Sequence, residues 1–152
     1  MSQLQVGDKA PDFSLPDGAG GTVSLKDLKG KKVLLYFYPK DDTSGCTREA
    51  CSFRDNMSRV KKKGAVVVGV STDGVDSHRK FAEKYDLTFP LASDEKRELV
   101  NAYGVWKEKS MYGRKYMGTE RTTFVIDEKG KITHIFPKVK VEGHMEEILA
   151  VL

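Results

Sequence analysis

Positions 33–38 read "VLLYFY", an unbroken run of apolar and aromatic strand formers. A strand with one wet face alternates apolar and polar side chains, whereas a run like this one is what a strand covered on both faces requires. A second run, "AVVVGV" at 65–70, repeats the signal. Between the two, Cys46, Ala50, Phe53, Met57 and Val60 recur at spacings of four, three, four and three, which predicts one helical stripe facing the core and ending at Gly64. Buried strands alternating with amphipathic helices imply an α/β domain, with helices on both faces of its sheet.

The rest of the chain fits that frame. Residues 12–15 and 22–25 flank the turn-rich "PDGAGG" and read as an N-terminal β-hairpin. After the second run, Asp76 or Ser77 is placed to cap a helix that buries Phe81, Ala82 and Tyr85. Residues 89–92 read as a short strand near an edge, because Pro90 cannot donate to a ladder, and a helix over 94–103 stops at Gly104. The segments "TTFVID" and "KITHIF" bracket Glu128-Lys129-Gly130 as a hairpin, and 143–152 form a last helix burying Met145, Ile148, Leu149 and Leu152. The expected fold is a three-layer α/β arrangement with a central mixed β-sheet, and the length of 152 residues favours one domain over 1–152.

Charge and hydropathy exclude several functions. The net charge of +4 comes from 26 basic and 22 acidic side chains that are interspersed, so no nucleic-acid surface is implied. The densest basic run, Lys61-Lys62-Lys63, precedes Gly64 at a helix end, where cations suit the helix dipole. No apolar run approaches the roughly 18 residues of a membrane helix. The opening "MSQLQVGDKAPDF" lacks the basic start and apolar segment of an export signal, so the cytoplasm is the expected address.

Two cysteines, Cys46 and Cys51, both lie just after the first buried run. In a reducing compartment a structural staple is not their expected role, which leaves chemistry, metal binding or inert packing. Packing is a real competitor, because free cysteine is among the most buried residue types and Cys46 lies on the apolar stripe. Position favours chemistry. Cys46 follows Gly45 in the first turn of its helix, where unpaired backbone N–H groups and the helix dipole favour a thiolate. The Thr43 hydroxyl can aim at the same point. Cys51 is five residues on, which in an intact helix sets the Cα atoms roughly 8 to 9 Å apart. Disulfides rarely exceed about 7 Å, so bridging the two requires local unwinding.

Other chemistries fit less well. C-x₄-C could be half a zinc site, but His78, His134 and His144 lie in separate segments and read as surface or strand-end residues, so no metal is expected. A phosphatase-like cysteine would want an Arg six positions on, where Ser52 stands. Gly18, Gly20 and Gly21 sit between strands and do not open a helix, so they read as a hairpin turn and not as a phosphate cradle.

"YFYPKDDTSGCTREACSFRD" resembles the active-site segment of the peroxiredoxins, in their peroxiredoxin Q or bacterioferritin-comigratory-protein branch. Pro39, Thr43 and Cys46 match the pattern P-x-x-x-T-x-x-C. The likeness extends through "VGDKAPDFSLPD", "RTTFVIDEKGKITHIF" and "KVKVEGH", and so covers nearly the whole chain. It implies a thioredoxin-like fold and a peroxidase that uses no cofactor. By the resemblance Cys46 is the peroxidatic thiolate and Cys51 the resolving thiol. Thr43 bonds the thiolate and the peroxide oxygen, Pro39 shields the pocket, Arg121 supplies a second positive contact and Glu49 orients an arginine. The implied partners are a hydroperoxide substrate and thioredoxin or a similar dithiol, with a monomer as the expected state. Ser44 departs from a second proline common in relatives, which leaves the loop less stiff. The alternative activity is protein thiol-disulfide exchange, whose usual C-x-x-C motif the observed spacing does not match.

Overall fold

A computed structural model describes residues 3–152 of the chain. A small antiparallel sheet pairs β1 (Ser14–Pro16) with β2 (Thr22–Ser24), so the expected N-terminal hairpin is present. The central sheet has five strands: β3 (Lys32–Phe37), β4 (Ala65–Ser71), β5 (Leu91–Ser93), β8 (Thr122–Ile126) and β9 (Ile132–Phe136). Their order is β5-β4-β3-β8-β9, parallel from β5 to β3 and antiparallel from β3 to β9. The sheet is therefore mixed, as expected. The helices are α1 (Ser44–Asp55), α2 (Met57–Lys62), α3 (Val75–Tyr85), α4 (Glu98–Ala102) and α5 (His144–Val151). No helix among the described residues is long and apolar enough to cross a membrane.

Strand pleating divides the core in two. Val33, Leu35 and Phe37 of β3 pack with Val68, Val70, Phe124 and Ile126 and with Leu99 and Val100 of α4. Leu34 and Tyr36 of the same strand, with Tyr38 just beyond it, point the other way. They pack on Ala50 and Phe53 of α1, Val60 of α2, Phe81 of α3 and Ile148 of α5. A period of two along β3 thus feeds both layers, which is why no position in 33–38 is polar.

Several local readings shift. The stripe from Cys46 to Val60 is two helices with a break at Asn56, whose side-chain amide donates to Ser52 O at 2.8 Å. Gly74, and not Asp76 or Ser77, occupies the N-cap position of α3, and both of those residues lie in its first turn. The helix expected over 94–103 is only Glu98–Ala102, because the buried Asp94 carboxylate accepts the Leu99 and Val100 N–H groups and so starts the helix from outside. One element was not anticipated. β6 (Trp106–Met111) and β7 (Arg114–Thr119) form a two-stranded arm whose turn, Tyr112-Gly113, has φ of +53° and +78°. Positive φ at both central residues matches the twist of a two-residue hairpin. The arm is polar and mostly exposed, so it carries little of the hydrophobic alternation that marks a strand.

Candidate active site

β3 carries the chain to the site. Beyond it Tyr38 is buried and its N–H donates to Val70 O, so the sheet ladder extends one residue past the strand. Asp42 adopts φ +57°, the chain turns, and Thr43 enters α1 from the N-cap position in extended conformation. The Thr43 hydroxyl donates to Lys40 O at 2.9 Å. Its proton is thereby committed to the loop, and lone pairs are what it presents elsewhere. Pro39 is half-buried in the same loop.

Cys46 is the third residue of α1 and is 2% exposed. Arg121 Nη2 donates to its Sγ at 3.3 Å, and Arg121 Nη1 donates to Glu49 Oε1 at 2.6 Å. The sheet makes this meeting possible. Antiparallel pairing sets Phe37 opposite Thr122, so the residue just before β8 arrives at the end of β3 where the cysteine helix begins. Gly45 leaves room here: a Cβ at that position would lie 3.2 Å from Arg121 Nη2, a tight contact to which the guanidinium would have to yield by a few tenths of an ångström.

Two sources of positive potential converge on Sγ. Both the guanidinium and the unpaired N–H groups of the first turn of α1 present positive potential. Burial pushes the Glu49 carboxyl up to about 7, against the pull of Arg121. Near neutral pH Glu49 therefore neutralises Arg121 only in part. Burial works against the Arg121 charge, yet Glu49 and Cys46 hold its pKa above the ordinary value. The Tyr36 hydroxyl is pushed well up by burial and then by Glu49 and Cys46, so it stays neutral. Lys109 of β6, half-buried, is held below the usual lysine range by burial and then by Arg121, while Cys46 and Glu120 act in the opposite sense. The unanticipated arm thus brings a further cation into the field of the site.

Cys51 lies on the same helix, half-buried, and both cysteines are free. The helix between them is intact, which is the dithiol geometry expected from their spacing. At the far end of α1, Arg54 Nη1 donates to Tyr85 O at 2.6 Å.

The histidines correct the earlier reading. His78 is fully buried and His144 is 3% exposed, so neither is a surface residue. Each is tolerated inside because its ring nitrogens have partners: Asp41 and Ala92 O for His78, Thr123 Oγ1 and Glu147 for His144. Asp41, Asp73 and His78 also place potential metal-ligand atoms within 4.8 Å of one another. Both Asp41 oxygens, Asp73 Oδ2 and both His78 nitrogens already have hydrogen-bond partners, so the cluster is a closed polar network. Sequence reasoning missed it, since nothing in "KDD" or "DSHRK" reveals that the two segments meet. A surface groove of about 710 Å³ runs between α3, residues 86–91 and residues 17–19, and Cys46 is not in its lining.

Comparison with known proteins agrees with this geometry. The AhpC/TSA family model matches residues 6–135. The putative peroxiredoxin Bcp of Coxiella burnetii is 55% identical over 146 residues, covering 96% of this chain and 97% of that protein. A solved cysteine-to-serine mutant of PrxQ from Xylella fastidiosa superposes with a TM-score of 0.93 at 37% identity, covering 99% of this chain and 96% of that one. The bacterioferritin comigratory protein of Xanthomonas campestris, solved in a study of its alkyl peroxide reduction, superposes with a TM-score of 0.87 at 40% identity, covering 91% and 88%. The thioredoxin-like architecture expected from the resemblance is therefore the one present. With a match that spans most of its length and relatives alike in sequence and in fold, the chain belongs to the AhpC/TSA family, in its Bcp/PrxQ peroxiredoxin branch.

Proposed function

We propose that the protein is a thiol peroxidase in which the Cys46 thiolate attacks the terminal oxygen of a hydroperoxide, hydrogen peroxide or an alkyl hydroperoxide. The observation that carries this reading is the 3.3 Å contact of Arg121 Nη2 with Cys46 Sγ at the first turn of α1. In the first step an S–O bond forms, the O–O bond breaks, and the leaving alkoxide or hydroxide takes a proton to become alcohol or water. Arg121 and the first N–H groups of α1 stabilise the charge that develops on the departing oxygen. Thr43 accepts a hydrogen bond from the peroxide O–H with the lone pairs its bond to Lys40 leaves available, and Pro39 shields the sulfur from solvent.

Cys46 is then a sulfenic acid, which a second thiol can capture before oxidation goes further. Cys51 supplies that thiol, water leaves, and an intramolecular disulfide forms. Because the two cysteines are five apart on one helix, this step unwinds α1 between them. An external dithiol, thioredoxin by our reading, reduces the disulfide by exchange and α1 reforms. Both cysteines lie in one chain, so a monomer suffices, with residues 1–152 acting as one domain. A reducing compartment such as the cytoplasm suits a cycle that ends in reduction.

The test is an NADPH-coupled assay with thioredoxin and its reductase, run with several hydroperoxides. Turnover that needs both cysteines supports the reading. Background peroxide consumption together with efficient insulin reduction would replace it with thiol-disulfide exchange.

A further inference from the structure

The loop that presents Thr43 is tied to α3 through two adjacent carboxylates, Asp41 and Asp42. Asp41 N–H donates to Asp73 Oδ2 at 2.8 Å. Asp41 Oδ1 accepts from Tyr38 Oη at 2.5 Å, and Oδ2 accepts from Ser77 Oγ at 2.8 Å and faces His78 Nδ1 at 2.6 Å. The next carboxylate, of Asp42, accepts from Lys84 Nζ and Tyr85 Oη, both at 2.8 Å. Ser77, His78, Lys84 and Tyr85 all belong to α3.

The centre of this arrangement is dry, with His78 at 0% and Asp41 at 7% exposure. Partner chemistry locates its hydrogens. Ala92 O, 2.9 Å from His78 Nε2, can only accept, so Nε2 carries a hydrogen. Tyr38 and Ser77 both donate to the Asp41 carboxylate. The 2.6 Å contact between Nδ1 and Oδ2 must then hold one more hydrogen, since otherwise two lone pairs would face each other without water. Every side-chain polar atom of the pair is used, and none of these bonds goes to Cys46, Arg121 or Glu49.

We propose that Asp41 and His78 are positioning residues for peroxide reduction: they hold the 38–43 loop in the shape in which Thr43 seats the peroxide, without touching the reacting sulfur. The inference rests on the peroxidase reading. Asp41 is two residues from Thr43 and two from Pro39, so a shift at its carboxylate is passed directly to both. Misplacing a positioned group by about 1 Å costs about 10²-fold in rate. The cation that faces the sulfur, Arg121, is held by Glu49 on α1 and not through the bonds that Asp41 makes. Loss of the pair should therefore slow attack on peroxide and spare attack on an electrophile that needs no seat.

The experiment compares two second-order rates of reduced Cys46, all in a Cys51→Ser background: oxidation by hydrogen peroxide and alkylation by iodoacetamide. Asp41→Ala should lower the first about 10²-fold and change the second by less than about 3-fold. Asp41→Asn should recover most of the peroxide rate, because its amide can donate to Nδ1 of a neutral His78 and its carbonyl can accept from Tyr38. Tyr38→Phe removes one bond to Asp41 while keeping the ring, and should cost roughly 10-fold with peroxide alone. It also serves if Asp41→Ala does not fold. A wild-type peroxide rate in Asp41→Ala, equal losses with both reagents, or an Asp41→Asn as impaired as the alanine variant would overturn the proposal. For Tyr38→Phe, an unchanged peroxide rate would do the same. An unsubstituted protein that does not react with peroxide would instead remove the peroxidase reading, and the proposal with it.

Discussion

The two cysteines sit on one helix in very different surroundings. Cys46 is 2% exposed, caught between Arg121 and the aromatic core, and it shares its turn with the buried Glu49. Cys51 is half-buried, and the polar contacts that hold the outer side of its helix are partly wet: Arg48 with Glu142 at 2.5 Å, both more than half exposed, and Arg54 with Tyr85 O. A thiol that must react first needs a fixed field around it. One that must move afterwards needs a segment that can be released. In the proposed cycle this contrast would let a single helix serve two steps, with the buried, ion-paired end where charge develops.

The largest effect should separate the two thiols. Cys46→Ser is expected to lower peroxide turnover by at least roughly 10³-fold. Cys51→Ser should leave the first oxidation within about 3-fold and stop the cycle after one turnover, with mass spectrometry showing Cys46 carrying two or three added oxygens under excess peroxide. Comparable steady-state activity in both variants would erase the division of labour.

Arg121 comes next. Arg121→Gln removes the cation that faces Sγ, and the rate of the first oxidation should fall about 10² to 10³-fold, as for loss of one donor in an anion-stabilising site. Arg121→Lys keeps a charge but replaces the planar fork, which reaches Sγ and Glu49 from two nitrogens, with a single one, so an intermediate loss is expected. A rate unaffected by either change would show that the helix terminus alone supplies the field.

Glu49 sharpens the comparison through pH. Burial moves its carboxyl from 4.5 to about 7. Between these values the folded chain keeps a proton that the unfolded chain has released, so the stability linked to this group is complete below about 4.5 and is lost as pH rises through about 7. The loss is up to roughly 3 kcal/mol. Urea titrations at pH 5 and 8 should show the wild type losing more stability than Glu49→Gln. Equal losses would place the strain elsewhere. The smallest effect belongs to the exposed pair: Arg48→Ala should change stability by about 0 to 1 kcal/mol and speed disulfide formation by no more than about 3-fold, read by quenched thiol labelling.

Much of the central sheet was legible in the letters. Residues 33–38 are apolar without interruption because β3 is covered on both faces, and the stripe from Cys46 to Phe53 marks the face of α1 that meets it. The β6–β7 arm was not legible. Its residues are mostly exposed, and only the Tyr112-Gly113 turn between two polar runs could have betrayed it. At the site, the spacing of Thr43, Cys46 and Cys51 was readable as a pattern, and Arg121 entered only through the family resemblance. His78 was misread because an isolated histidine in a charged segment says nothing of the buried carboxylate it will meet.

The sequence by itself determined which segments are buried, that a cysteine opens a helix after a central strand, and how far apart along that helix its partner lies. Each of these is set by neighbours in the chain, through periodicity and backbone geometry. Only the tertiary structure decided that Arg121 reaches a sulfur 75 positions earlier and that His78 closes on Asp41 across 37. Those meetings follow from strand order and register, which sum many weak packing preferences over the whole sheet, so no short stretch of letters encodes them.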